Sequence, residues 1–189
     1  MIVIMDWDER LFRVINGVAG QSSMLDWVMV ELAKPGNLFY PCLLVAGYWA
    51  WINWRECVIA SAVLAAVIGG TDAIGTQVKN LVQRPRPCLR LQDVYELLGC
   101  GSAFSFPSNH AVNTAAAAAF FQILYPRSGL ISWPLVAAIG LSRVYIGAHY
   151  VTDVAGGWLL GSAVGGGVAW MLKRRLRLRP VKRSLAGSA

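Results

Sequence analysis

Apolar residues fill long stretches of this chain, and polar positions gather in short breaks between them. A bilayer core takes roughly 17 to 25 helical residues to cross, and the runs can be measured against that length. Residues 38–54 form a first run that closes on Tyr48, Trp49, Trp51 and Trp54, and a turn at Arg55 and Glu56 leads into a second over 57–78. Beyond a polar loop at 79–106, three more runs follow at about 108–125, 128–142 and 150–172. The pattern predicts an all-α fold, a polytopic membrane helical bundle with five transmembrane helices in one domain over 1–189. The stretch 6–33 is amphipathic and mixed in charge, and its best apolar piece, 24–33, contains Asp26 and Glu31. Residues 1–36 are therefore expected to form interfacial helices on the membrane surface; a sixth span there is the alternative. Gly157, Gly161 and Gly165 make a small-residue row in the last run, a seam for close helix packing.

Composition agrees with a lipid solvent. The chain is 56% hydrophobic and 14% charged, with eight tryptophans and a mean hydropathy of +0.50, whereas soluble domains carry nearer a quarter charged residues. The formal charge of +7 does not imply nucleic acid binding. Seven of the 17 basic residues fall in 173–183, directly after an apolar run, where a cytoplasmic anchor is the usual reading. No cleavable leader is expected, since the apolar start at 1–5 is short and leads into Asp6, Asp8 and Glu9. Arg55, Arg127 and the basic tail at 173–189 share one side, which the positive-inside rule makes cytoplasmic. The N-terminus, the 79–106 loop and the 143–149 turn then share the opposite, outer side.

That outer side collects the chemistry. Three clusters meet there: Lys79 with Arg86 and Pro87, then Pro107-Ser108-Asn109-His110, then Ser142-Arg143 followed by His149 and Asp153. They include both histidines of the chain. His149 and Asp153 are four apart at a helix start and so share a face; a carboxylate there can hold one ring nitrogen protonated and free the other to attack. The N–H groups of the helix that begins near Ser108 offer a phosphate cradle, and Ser108 is a good N-cap. Lys79, Arg86 and Arg143 can neutralise phosphate oxygens. Arg84 reads as part of a rigid basic turn touching lipid headgroups. Asp72, two turns before Lys79, reads as a hydrogen-bonded helix contact rather than a catalytic group. Asn80, Asn113 and Ser142 adjoin site residues and are expected to support them.

The spacings Lys79-x6-Arg86-Pro87, Pro107-Ser108-Asn109-His110 and Ser142-Arg143-x5-His149-x3-Asp153 resemble the three-part signature of the type 2 phosphatidic acid phosphatase superfamily, which also contains vanadium haloperoxidases. The resemblance implies that His149 is the nucleophile that becomes phosphorylated and that Asp153 orients it. It further implies that His110 protonates the leaving group, that Lys79, Arg86, Ser108 and Arg143 bind the phosphate, and that no metal or other cofactor takes part. Asn109 stands where the family usually has glycine. Its backbone N–H still donates to the phosphate, while its side chain either narrows the pocket or adds a contact.

A site at an outer headgroup boundary is expected to act on a lipid phosphate in the cytoplasmic membrane of a bacterium. Among relatives of this size, undecaprenyl pyrophosphate and lipid A 1-phosphate are the favoured substrates. Phosphatidylglycerol phosphate, phosphatidic acid and transfer to a lipid acceptor are alternatives, and a vanadium haloperoxidase or a non-enzymatic membrane protein more remote ones. Cys42 and Cys57 read as packing residues. Cys88 and Cys100 bracket the outer loop, and on an oxidising side they are expected to form a disulfide.

Overall fold

A computed structural model describes residues 2–176, without the side chains of 2–6, 35, 38, 39, 41 and 176. Residues 177–189, most of the basic tail, lie outside the described residues, as does Met1. Within these bounds the chain is all-α and has no strand, only an isolated bridge between Pro85 and Phe104. Helices α1 (Ile2–Asn16) and α2 (Ser23–Ala33) precede a long α3 (Phe39–Val82), a one-turn α4 (Pro87–Arg90), α5 (Asn109–Leu124), α6 (Gly129–Tyr145) and α7 (Val151–Leu176).

The turn expected at Arg55 and Glu56 falls two residues earlier. Asn53 leaves helical geometry at φ −151° and ψ 84°. Its side-chain oxygen accepts from Glu56 N–H at 3.3 Å, and its amide donates to Glu56 Oε2 at 2.7 Å. This is an N-cap with a glutamate three residues on, so Arg55 and Glu56 form the first turn of the second half instead of the connection. Cys57 Sγ lies 3.4 Å from the carbonyl oxygen of Ala46. Eleven residues of straight helix would separate them by about 16 Å, so the chain doubles back at Asn53.

Two stretches, Cys42–Val82 and Val151–Arg175, are long and apolar enough to cross a membrane. The first contains the reversal at Asn53. α5 and α6 occupy the expected third and fourth runs with 16 and 17 residues. Large apolar side chains face outward along these helices, Leu44 at 76% and Trp51 at 82% exposure among them. A water-soluble protein rarely exposes such a continuous apolar surface; lipid is its natural solvent.

The core is the α5–α7 pair, and its sequences explain the contact. α5 buries Ala111, Val112, Ala115, Ala116, Ala118 and Ala119, while α7 presents the glycine row. A Cβ on Gly161 would fall 2.0 Å from Val112 O, and one on Gly165 2.1 Å from Ala116 O. Only bare backbone fits at that separation. Gly161→Val is expected to force the helices apart at a cost of about 3 kcal/mol or more, the upper end for overpacking, seen as a lower midpoint of thermal unfolding in detergent.

α1 and α2 pack against the end of the bundle that carries the site. Phe12 is buried with its ring centroid 5.6 Å from that of Tyr150, and Ala19 and Ala33 pack with Tyr145, Ile146 and Ala148. The N-terminal helices thus form one wall of the functional end.

Candidate active site

Helix ends deliver most of the site. Lys79 sits in the last turn of α3, Ser108 and His110 at the start of α5, Arg143 in the last turn of α6, and Asp153 in the first turn of α7. Between Arg143 and His149 the chain turns through Gly147 at φ 85°, where a Cβ would also strike Tyr95 O at 2.8 Å. His149 N–H donates to Arg143 O at 3.2 Å, and Ser108 N–H donates to Asp153 O at 3.1 Å. The first bond closes the turn within the third motif, and the second ties the second motif to the third.

The first motif is placed by its prolines. Arg84 and Arg86 each precede a proline, which disfavours helical backbone, and Arg86 is extended at φ −68° and ψ 154°. Extended residues two apart share a face, so both guanidinium groups turn inward. Ser105 N–H donating to Arg84 O at 2.7 Å clamps the segment. Cys88 and Cys100 form a disulfide with Cα atoms 5.9 Å apart, closing the loop beside Arg86.

Arg86 is 6% exposed. It donates to Ala148 O at 3.1 Å and to Ser102 Oγ at 3.0 Å, and its Nη1 lies 3.4 Å from His149 Nε2. Burial holds its pKa below the usual guanidinium range, against the pull of Asp153. Arg143 donates to Ala33 O at 3.0 Å. Arg86 Nε, Ser108 Oγ, His110 Nε2, Arg143 Nε and His149 Nδ1 are all buried with no hydrogen-bond partner among the described residues. Buried polar atoms are rarely left so; a concentration of them, mostly donors on basic side chains, suits a multiply charged oxyanion. Ser108 is at the N-cap of α5, yet its hydroxyl makes no capping bond, which leaves it available to such an anion.

His149 is buried, and burial pushes its pKa down to about 4, with Arg86 and Arg143 pushing the same way and Asp153 opposing them. The ring is therefore neutral near pH 7 and holds a nucleophilic lone pair. Nδ1 faces Asp153 Oδ2 at 3.7 Å, beyond hydrogen-bond range. Asp153 is fully buried; its Oδ2 accepts from Tyr150 N–H at 2.8 Å, and its Oδ1 from Arg84 at 2.7 Å.

Arg84 overturns the expectation of a headgroup contact. Its side chain is only 16% exposed and pairs with both Asp8 and Asp153 at 2.7 Å. It lies over the Tyr150 ring, 3.9 Å from the centroid. Asp8, fully buried, also accepts from Thr152 N–H at 3.1 Å and from the Thr152 hydroxyl. Neither Asp8 nor Thr152 was evident as a site residue from the sequence. The nearest signal is a run of three acids, Asp6, Asp8 and Glu9, in a chain with ten acids in all.

The supporting residues divide. Asp72 accepts from Asn109 at 2.7 Å and from Asn113 at 3.4 Å, a helix-to-helix contact of the kind expected, and Asn109 thereby adds a contact. Ser142 donates to Ile139 O at 2.7 Å and serves its own helix. Asn80 is exposed, with no hydrogen bond tying it to the site among the described residues.

The PAP2 superfamily model matches residues 43–177, a range that holds all three motifs. Undecaprenyl-diphosphatase BcrC of Bacillus subtilis is 29% identical over 160 residues, covering 82% of this chain and 79% of that protein. A lipid A 1-phosphatase of Rhizobium johnstonii is 40% identical over 163 residues, covering 82% and 64% respectively. The crystal structure of a transmembrane PAP2-type phosphatidylglycerolphosphate phosphatase from Bacillus subtilis superposes with a TM-score of 0.73 at 24% identity, over 95% of this chain and 90% of that one; it shares the fold. With its three motifs in order and gathered at one end of the helix bundle, the chain belongs to the PAP2 superfamily.

Proposed function

We propose that this chain removes the terminal phosphate of a membrane lipid through a phosphohistidine on His149. The coarse activity is that of a lipid phosphatase, as the names of its relatives state for those proteins. The observation that carries the mechanism is the buried, neutral His149 with Nε2 turned to Arg86 and Nδ1 turned to Asp153.

In the first step the Nε2 lone pair attacks phosphorus, and the bond from phosphorus to the lipid oxygen breaks. His110, protonated once the anionic phosphate lies beside it, gives its proton to that oxygen. Asp153 steadies the positive charge that develops on the His149 ring. Lys79, Arg86, Arg143 and the Ser108 hydroxyl take up the charge on the phosphoryl oxygens, which is most of what phosphoryl transfer asks of a protein. In the second step water, deprotonated by His110, attacks the phosphohistidine; inorganic phosphate leaves and both histidines return to their starting states. The reading needs no metal or other cofactor.

The same reading puts five crossings in a bacterial cytoplasmic membrane, with the site at the outer face and the C-terminus in the cytoplasm. Its support is the single-sided gathering of the motifs and the basic character of the opposite end. Undecaprenyl pyrophosphate and lipid A 1-phosphate are the candidate substrates. Purified protein in detergent is expected to release inorganic phosphate from one or more members of a panel of lipid phosphates and pyrophosphates. Release from none of them would overturn the proposal.

A further inference from the structure

On the His110 side of the site lies a cavity of about 310 Å³, walled by α3, α5 and α6 and by the end of α2. Leu32 and Ile139 make its apolar part; Asp72, Asn109 and Asn113 make its polar part. In an in-line displacement the leaving group departs on the side opposite the attacking atom. With His149 as nucleophile and His110 as acid, whatever carries the phosphate sits against this wall.

The wall is built around the one irregular motif residue. Asn109 reaches Asp72 with its amide nitrogen at 2.7 Å, and Asn113 does the same at 3.4 Å. Gly75 leaves room for this: a Cβ there would stand 3.3 Å from Asn109 Oδ1. Thr71 donates to Asn113 Oδ1 at 3.0 Å, fixing that amide. A carboxylate accepts and does not donate, so both amides must turn their nitrogens to it. That leaves Asn109 Oδ1 buried with no donor, and Asp72 Oδ2 receives no hydrogen bond among the described residues. Lys34 lines the cavity too, but Glu31 matches its charge at 2.6 Å.

The shelf thus offers Asp72 Oδ2 as a free, negatively charged acceptor, held in place by the Asn109 amide and within electrostatic reach of Lys79. A hydroxyl group satisfies such an acceptor, whereas a second phosphate would bring like charge to the carboxylate. We propose that Asp72 and Asn109 form a leaving-group subsite that selects lipid phosphates whose leaving group carries hydroxyl donors, as a sugar or glycerol does, over lipid pyrophosphates. The inference rests on the phosphatase reading above and narrows its substrate class.

The test compares kcat/KM of the full-length protein on four lipids. Lipid A 1-phosphate and phosphatidylglycerol phosphate have hydroxyl-bearing leaving groups, phosphatidic acid has one without a hydroxyl, and undecaprenyl pyrophosphate has an anionic one. The unaltered chain is expected to favour the first two. Asp72→Asn should shrink that lead by about tenfold or more, the worth of a hydrogen bond to a charged group, with the pyrophosphate gaining relative to the rest. Asn109→Gly, which removes the amide that holds Asp72 in place, should move the preference the same way and stands in if Asp72→Asn fails to fold. A starting preference for the pyrophosphate, or equal losses on all four lipids in both variants, overturns the subsite while leaving the phosphatase reading intact. No release from any lipid by the unaltered chain overturns the phosphatase reading, and the subsite with it.

Discussion

His149→Ala is expected to lower phosphate release by at least about 10⁴-fold, the scale seen when a covalent nucleophile is removed. The fall should appear in kcat on every substrate the protein accepts, because His149 Nε2 is the imidazole nitrogen held against Arg86, 3.4 Å from its Nη1. Only two histidines exist in the chain, and His110 sits in the first turn of α5 whereas His149 lies in the turn before α7, so substitution by the second one would need the site to be rebuilt. The fold should survive. His149 Nδ1 has no hydrogen-bond partner to lose, and its backbone bond to Arg143 O does not depend on the side chain. A folded, detergent-monodisperse variant without turnover is the expected pair of results, and acid-labile, base-stable phosphate trapped on the unaltered chain but not on the variant would complete it. Full turnover by His149→Ala would sink the mechanism.

The three motifs were readable from sequence because the chemistry restricts them so tightly. Phosphate handling calls for cations, a nucleophile and an acid, and in an apolar chain such residues stand out. Topology then joined them, since counting apolar runs put Lys79, His110 and His149 on one face. What was not readable depends on pairings that leave no period. Arg84 and Asp8 are 76 positions apart, and an arginine beside an apolar helix has an ordinary explanation as a headgroup contact. Only the fold shows that the proline after Arg84 turns it inward. The hairpin between the first two runs was misplaced by two residues because Arg55 and Glu56 are the charged pair, whereas the break is made by the capping side chain of Asn53. Asn109 could be recognised as irregular, but its purpose required Asp72 and Gly75 on the neighbouring helix.

Arg84→Met should be the most damaging substitution outside the catalytic and phosphate-binding residues. Asp8 and Asp153 are both fully buried, and Arg84 is the cation that pairs with each of them. Removing one partner from a buried charge cluster typically costs about 3–5 kcal/mol, because the remaining charge stays buried without compensation. Here two carboxylates would be left together, and Asp153 would lose the bond that fixes its Oδ1 while its Oδ2 faces His149. Thermal stability and turnover should therefore fall together. Asp8→Asn alone is expected to be milder, since Arg84 then keeps Asp153 and the amide oxygen still accepts from Thr152 N–H. The combined variant separates charge compensation from simple packing. If Arg84 matters as the shared counter-charge, Asp8→Asn should cost less in the Arg84→Met background than alone, or even restore stability, because it removes one of the two stranded charges. Strict additivity of the two losses in unfolding midpoint would mean that the cluster is not coupled. Turnover should recover less than stability, since neutralising Asp8 does nothing to hold Asp153 against the nucleophile.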